Sequence, residues 1–431
     1  MHTAPATSIV FALGLALPLC SAAGCVGVTT DLSGDANSSE PPPDPCAPAA
    51  PASDAGVQVP PGMARQVIVL IGDGTGAAHW EAARVAAGGT LAVDALEGPS
   101  LYATDALPAG TTTDSAAAAT AIATGQCTFN GRIGVDGSGL PHRNLMEYAR
   151  AAAMGTGIVT NTVIVDATPM AFVGHSGSRY CSESLAAQLI DVARPDVVLG
   201  GFIPDSAFAG PGLDERARAA GYSVGFELSA LRAAAADAEP DAPVLGLFGE
   251  GPSSPLWTAW DQGLTPEILR DAGSDEPTLA EMTRFALERL ASDDSGFVLM
   301  VESEHADTVG HLAYLDVAQA AVWMPSLVLE LDAAVAEVLA WVESHSSFDD
   351  TLVVVCADHE TGGYTLAASN PEDLAGASFP SSPNHTPSAV PIFARGPGSE
   401  RLSDVKHLSD IFQLLTGNLD ALPGTGRCRE N

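Results

Sequence analysis

The stretch that most constrains this chain is QVIVLIGDGTG (residues 66–76), an unbroken β-branched apolar run that ends in an aspartate set between glycines. A strand with one wet face alternates apolar and polar residues. A run without polar positions needs cover on both faces, which marks a central strand of a parallel sheet. The pattern recurs: residues 296–302 (GFVLMVE) end at Glu302, and residues 351–356 (TLVVVC) lead into Asp358 and His359. A weaker run, GIVT at 157–160, leads into Asp166-Ala167-Thr168-Pro169. Helical patterns lie between, over residues 279–290 and 327–342. This alternation predicts an α/β fold, doubly wound, with a mostly parallel central sheet flanked by helices and a site at the carboxyl ends of the strands.

One carboxylate at a strand end is often only a turn former or a helix cap. Three separate strand ends that deliver Asp73, Glu302 and Asp358 to one edge are different, because like charges repel and cations are the simplest way to stabilise them. In VESEHADTVGH, a helix opening at Asp307 puts His311 at i+4 on the same face, a spacing that can chelate zinc. His385, in the loop SSPNHTPSAVPIF, is the candidate third ligand in that company. Histidine with carboxylate suits zinc, whereas Asp73, Thr168 and Glu302 make an all-oxygen set suited to magnesium. His2, His79, His142, His175, His305, His345 and His407 read as structural, with His305 the decoy inside the ligand segment.

Residues 112–125 (TTDSAAAATAIATG) predict a helix capped by Asp114 or Ser115 and stopped by Gly125. Ser115 then sits at the positive end of a helix, where N–H groups favour an anion, and the alanines let that helix lie close under a crowded site. Arg179, in HSGSRY, reads either as a surface ion pair or as a bidentate fork for a tetrahedral oxyanion.

With 431 residues the chain holds one large α/β domain or two ordinary ones, and 46% hydrophobic residues exclude disorder throughout. The net charge is −35 and Lys406 is the only lysine, which argues against binding nucleic acid or anionic lipid through a basic patch. Residues 9–19 (IVFALGLALPL) are an apolar run of signal-peptide length, followed by SAAGC ending at Cys25. We therefore expect residues 1–25 to be an export signal with a candidate lipid site at Cys25, 26–62 a Pro/Ser/Asp/Ala tether, and 63–431 a single catalytic domain. The destination is the periplasm, a lipid-anchored position on a membrane, or the medium. Export permits disulfides. Cys46 with Cys428 and Cys127 with Cys181 are candidate pairs, with connectivity left open, and Cys356 reads as a buried free thiol.

Taken together, IGDGTG, TTDSAAAAT, DATP, Arg179, VESEHADTVGH, ADHETGG and NHT stand in the order found in bacterial alkaline phosphatases, which the chain resembles over roughly residues 65–420. The resemblance implies an alkaline-phosphatase-like fold with two zinc ions and one magnesium. It assigns Asp307, His311 and His385 to one zinc, and Asp73, Asp358 and His359 to the other, with Ser115 as exchangeable ligand. By the same resemblance Asp73 would also bridge to magnesium, completed by Thr168 and Glu302, Asp166 would hold metal-bound water, and Arg179 would grip two phosphate oxygens. Thr308 stands where relatives often carry a lysine or histidine near the phosphate. The short stretch between His359 and His385 leaves no room for the surface domain that larger relatives insert, so a homodimer, usual in the family, is less strongly implied.

The implied activity is hydrolysis of small phosphate monoesters through a phosphoserine on Ser115, for phosphate scavenging. The rivals are a phosphodiesterase or sulfatase on the same scaffold, or a phosphate- or metal-binding lipoprotein without turnover. Ser115 in TTDSA matches neither the threonine of related diesterases nor the modifiable Cys/Ser pattern of sulfatases.

Overall fold

The computed structural model describes residues 44–46, 60, 62–202, 212–237, 242–249, 276–291, 295–367, 374–422, 424 and 428. The export signal, Cys25 and nearly all of the tether lie outside the described residues. No helix among the described residues is long and apolar enough to cross a membrane.

The described residues form eleven strands: β1 (Gln66–Gly72), β2 (Glu97–Tyr102), β3 (Gly155–Val163), β4 (Val197–Gly201), β5 (Ser223–Gly225), β6 (Val244–Phe248), β7 (Phe297–Ser303), β8 (Thr351–Cys356), β9 (Glu360–Thr361), β10 (His385–Thr386) and β11 (Val390–Arg395). Nine make one sheet in the order β2-β11-β8-β1-β7-β3-β4-β6-β5, while β9 and β10 pair separately. Strands β8, β1, β7, β3, β4, β6 and β5 run parallel, and β11 runs antiparallel to both β8 and β2. This is the mostly parallel sheet flanked by helices that the apolar runs predict.

The period of two inside β1 explains its uniform hydrophobicity. Val67, Val69 and Ile71 enter the core on one face with the alanines of the helix Ser115–Thr124. Ile68 and Leu70 enter the core on the other, against the helices Leu279–Leu290 and Val317–His345. The second of these helices extends beyond the expected 327–342 at both ends. It carries Pro325 in its interior, a residue that ordinarily marks a break, and its apolar face continues through Trp323 and Met324 on the other side.

Register places the acids side by side. Ile71 pairs with Glu302 and with Cys356, and Glu302 pairs with Thr160, so the carboxyl ends of β8, β1, β7 and β3 form one continuous edge.

Among the described residues two disulfides are present, Cys46–Cys181 and Cys127–Cys428, which exchanges the partners of the candidate pairs. Cys127 follows the turn at the end of the serine helix, where the chain lies beside residues 105 and 407, and there Cys428 sits against Asp105 and His407. Cys181 is held near residue 45, whose carbonyl accepts the N–H of Gly177 at 3.0 Å. Pairing follows tertiary proximity, which sequence separation does not encode. Cys356 is a buried free thiol.

Candidate active site

The edge is organised first by backbone. Asp73 N–H donates to Ser303 O at 2.9 Å, and Gly74 N–H donates to Asp358 Oδ1 at 3.1 Å. Gly74 adopts φ +69°, and a Cβ there would lie 2.8 Å from Asp307 Cα, so only glycine lets the chain turn Asp73 between Asp358 and Asp307. His359 N–H also donates to Asp358 Oδ1, at 2.8 Å.

Ser115 is the first residue of its helix. Asp114 is the N-cap, accepting from Ala117 N–H at 2.9 Å, and Gly125 ends the helix in the left-handed region. All ten residues of the helix are buried, which the small side chains allow. It packs against the short helix Ala167–Ala171 and the helix Leu408–Leu415. Ser115 Oγ lies 3.4 Å from His359 Nε2. Arg179 approaches the same place, with Nη2 2.8 Å from Asp166 Oδ1 and Nη1 3.5 Å from Asp114 Oδ2.

The residues expected to hold zinc fall into two groups, Asp307 with His311 and His385, and Asp73 with Asp358 and His359. In each group one ligand atom per residue can be chosen such that all lie within 4.8 Å of one another. The helix His305–Leu312 carries the i, i+4 pair, with His311 Nε2 3.1 Å from Asp307 Oδ2. His385 Nε2 lies 3.1 Å from His311 Nε2 and 3.5 Å from Asp307 Oδ1. His385 Nδ1 contacts Thr113 O at 2.8 Å, which turns Nε2 toward the site. The rings of His359 and His385 stack at 3.6 Å, so the two groups adjoin.

The donor set also fits cations by what it leaves unmet. Asp73 Oδ1, Asp358 Oδ2 and Thr168 Oγ1 are buried without a hydrogen-bond partner, although His359 Nε2 lies 3.1 Å from Asp358 Oδ2. Buried oxygens are rarely left this way in a fold unless something else satisfies them. Glu302 Oε2 accepts from Thr160 Oγ1 at 2.6 Å.

The electrostatics agree. Burial, then the charges of Asp358, Asp307 and Glu302, hold the Asp73 carboxyl well above the usual range. Burial, with Asp307 adding, pushes Asp358 up to about 8. Burial pushes Glu302 up to about 8 against the Thr160 hydrogen bond. His359 is held well below its ordinary value by burial and by His385. Burial opposes protonation of His311, but Asp307 outweighs it and raises His311 to about 9. Burial likewise opposes charge on Arg179, and Asp166 and Asp114 outweigh it, keeping the guanidinium cationic.

Three further residues belong to this neighbourhood. Glu304 is pushed up to about 7 by burial, with Asp307 adding to it and His305 opposing, and it accepts the hydroxyl of Thr308. Thr361 donates to Asp307 Oδ1 and sits 3.2 Å from His359 Nδ1, orienting both. Asp114 caps the serine helix with one oxygen and turns the other to Gly131 N–H and Arg179. Only its cap role is visible in local sequence. Thr361 lies inside ADHETGG, and its proximity to a ligand pair is the signal that marks it. The remaining described histidines have structural surroundings, as with His79 accepting from Gly76 N–H and His305 facing Glu330.

Residues 64–378 match the family model described as alkaline phosphatase. The chain is 34% identical to the streptomycin-6-phosphate phosphatase of Streptomyces griseus, over 83% of this chain and 91% of that one. It is 32% identical to the alkaline phosphatase of Escherichia coli, over 83% and 86%. Among solved structures it resembles a cold-active alkaline phosphatase of a psychrophilic Shewanella species, at TM-score 0.66, 26% identity, 82% of this chain and 99% of that one. The alkaline phosphatase of the Antarctic bacterium TAB5 shares the fold at TM-score 0.67 and 24% identity, over 83% and 98%.

Proposed function

The chain belongs to the alkaline phosphatase family and is a phosphatase of phosphate monoesters, and on that premise we propose that it works through a phosphoserine on Ser115. The observation that carries the reading is the position of Ser115 Oγ, at the head of a buried helix and 3.4 Å from His359 in a group of unmet carboxylates. Asp307, His311 and His385 would hold one zinc, Asp73, Asp358 and His359 a second, and Asp73, Thr168 and Glu302 magnesium. Bound there, the metals supply Lewis acidity and positive charge that lower the pKa of a hydroxyl or water and offset developing negative charge.

Ser115 Oγ gives up its proton and attacks phosphorus, forming the Ser–O–P bond while the bond from phosphorus to the substrate alcohol breaks. The alcohol leaves as its oxygen gains a proton, so that one proton passes in net from serine to alcohol. Water then attacks the phosphoserine, releasing inorganic phosphate and restoring the hydroxyl. Arg179, held by Asp166 and Asp114, provides a fork for two phosphoryl oxygens, and the helix N-terminus adds N–H dipoles. Asp114 fixes helix and arginine with one side chain, so nucleophile and anion-binding group keep their relative positions. None of these groups addresses the alcohol, which supports a general role in releasing phosphate.

Export is part of the same reading, with a lipid on Cys25 as its anchored form. The two disulfides support an oxidising compartment.

The test is steady-state hydrolysis of p-nitrophenyl phosphate, its bis-ester and its sulfate, with zinc and magnesium, after chelation, and with Ser115→Ala. Monoester turnover is expected to be preferred, to vanish on chelation and to fall at least about 10³-fold in the variant. Full activity in Ser115→Ala would remove the phosphoserine from the mechanism.

A further inference from the structure

Beside Arg179 and Asp166 lies a pocket of about 380 Å³, lined by these two residues with Val163, Val165, Tyr180 and Ser182. That volume suits one small organic group, at the lower end of the roughly 300–1,000 Å³ typical of ligand pockets, and is too small for a macromolecule. Its one cation, Arg179, is on the reading above the group that holds the phosphoryl oxygens, Asp166 beside it at 2.8 Å is an anion, and the chain as a whole is strongly acidic. The pocket therefore disfavours a second anionic group and offers two valines and an aromatic ring.

Tyr180 is 74% exposed, the highest value among the exposed large hydrophobic residues described. It is also firmly presented. Its neighbour on one side is Arg179, ion-paired to two carboxylates, and on the other is Cys181, disulfide-bonded to Cys46. Its backbone N–H donates to Ser178 Oγ at 3.3 Å. The backbone beneath the ring is thus pinned, and the ring stands in the open, where a flat group can stack on it.

We propose that this pocket is the subsite for the organic substituent of the ester, and that it favours monoesters carrying a flat aromatic ring, which stacks on Tyr180 over Val163 and Val165. The inference rests on the reading that Arg179, which lines this pocket together with Tyr180, holds the phosphoryl group. Stacking of this kind is expected to give roughly 3- to 10-fold selectivity.

The experiment compares 2-phenylethyl phosphate with propyl phosphate, whose alcohols are of similar acidity, so that the chemical step cancels in the ratio of kcat/KM. The corresponding phosphonates serve as non-reacting competitors. Both pairs are measured on the enzyme loaded with zinc and magnesium, as wild type, Tyr180→Phe and Tyr180→Ala. The aromatic member is expected to be favoured in wild type and Tyr180→Phe, in both kcat/KM and inhibition, with the ratio falling to about 1 in Tyr180→Ala. Equal handling of the two esters by the wild type, or a preference that survives in Tyr180→Ala, would overturn the subsite. Discrimination between the phosphonates without turnover of either ester would support the subsite and overturn the catalytic reading instead.

Discussion

Two buried clusters of this protein use the same residue types to opposite ends. In one, His175 contacts Gly134 O at 2.8 Å and Glu147 Oε1 at 3.2 Å, and the other oxygen of Glu147 accepts from Asn144 N–H at 2.9 Å. Both ring nitrogens and both carboxylate oxygens have a partner within the fold. In the other, at the ends of β1 and β8, His359 lies between Asp73 and Asp358, each of which keeps a buried oxygen without a hydrogen bond. Histidine beside carboxylate is therefore not in itself a metal signature. What separates the structural cluster from the candidate metal centre is the unmet acceptor: Asn144 Nδ2 beside Glu147 is also unpaired, but an N–H donor has nothing to offer a cation, whereas a carboxylate oxygen does.

The contrast breaks most visibly on metal removal. Chelation is expected to abolish phosphatase activity and to lower Tm by an amount on the order of 5–10 °C, reversed by zinc and magnesium, as followed by calorimetry alongside activity. A chelated protein with unchanged Tm and activity would put the two clusters on the same footing. Next, Asp358→Asn should have opposite signs in the two states. In the metal-loaded enzyme, competition titration should show zinc binding weakened by more than the roughly 10- to 100-fold typical of losing an outer partner. In the chelated protein the same change removes a repelled carboxyl, and Tm should stay level or rise.

Glu147→Ala supplies the control. It leaves His175 without its partner and should cost about 1–3 kcal/mol in denaturant unfolding, equally with and without metal. A cost that depended on metal would link the two clusters. The smallest effect is on pH. Burial and Arg143 disfavour protonated His175, yet the hydrogen bond and charge of Glu147 outweigh them and raise its pKa. The folded state thus binds this proton more tightly than the unfolded state. The stability it contributes is fully present below the unfolded value of about 6.5 and is lost as pH rises through the folded value. The Tm difference between wild type and His175→Gln should shrink over that interval.

Strands β1, β7 and β8 were legible because burial on both faces leaves an unbroken apolar run, and their terminal acids could be read directly from it. The Asp307–His311 pair was legible because helical spacing is local. The disulfide partners were not, since Cys127 meets Cys428 across 301 positions of sequence. The reach of the long helix was hidden by Pro325, which reads as a break until the packing of Trp323 and Met324 is seen. Asp114 looked like a cap and proved also to face Arg179, a contact that exists only once residues 114 and 179 are folded together. Glu304 and Tyr180 carry no local pattern at all. Burial distinguishes the first and exposure the second, and both are properties of the tertiary structure.

The hydrogen bond from Gly74 to Asp358 joins residues 284 positions apart. At a synthesis rate of roughly 5–20 residues per second, a nascent chain carries Asp73 for about 15–60 seconds before Asp358 exists. During that interval the chain holds only part of either ligand group, since His359 and His385 have yet to be made. The group of Asp73, Asp358 and His359 is complete only once residue 359 is made, and that of Asp307, His311 and His385 only at residue 385, so either can surround a cation fully only after most of these 431 residues exist.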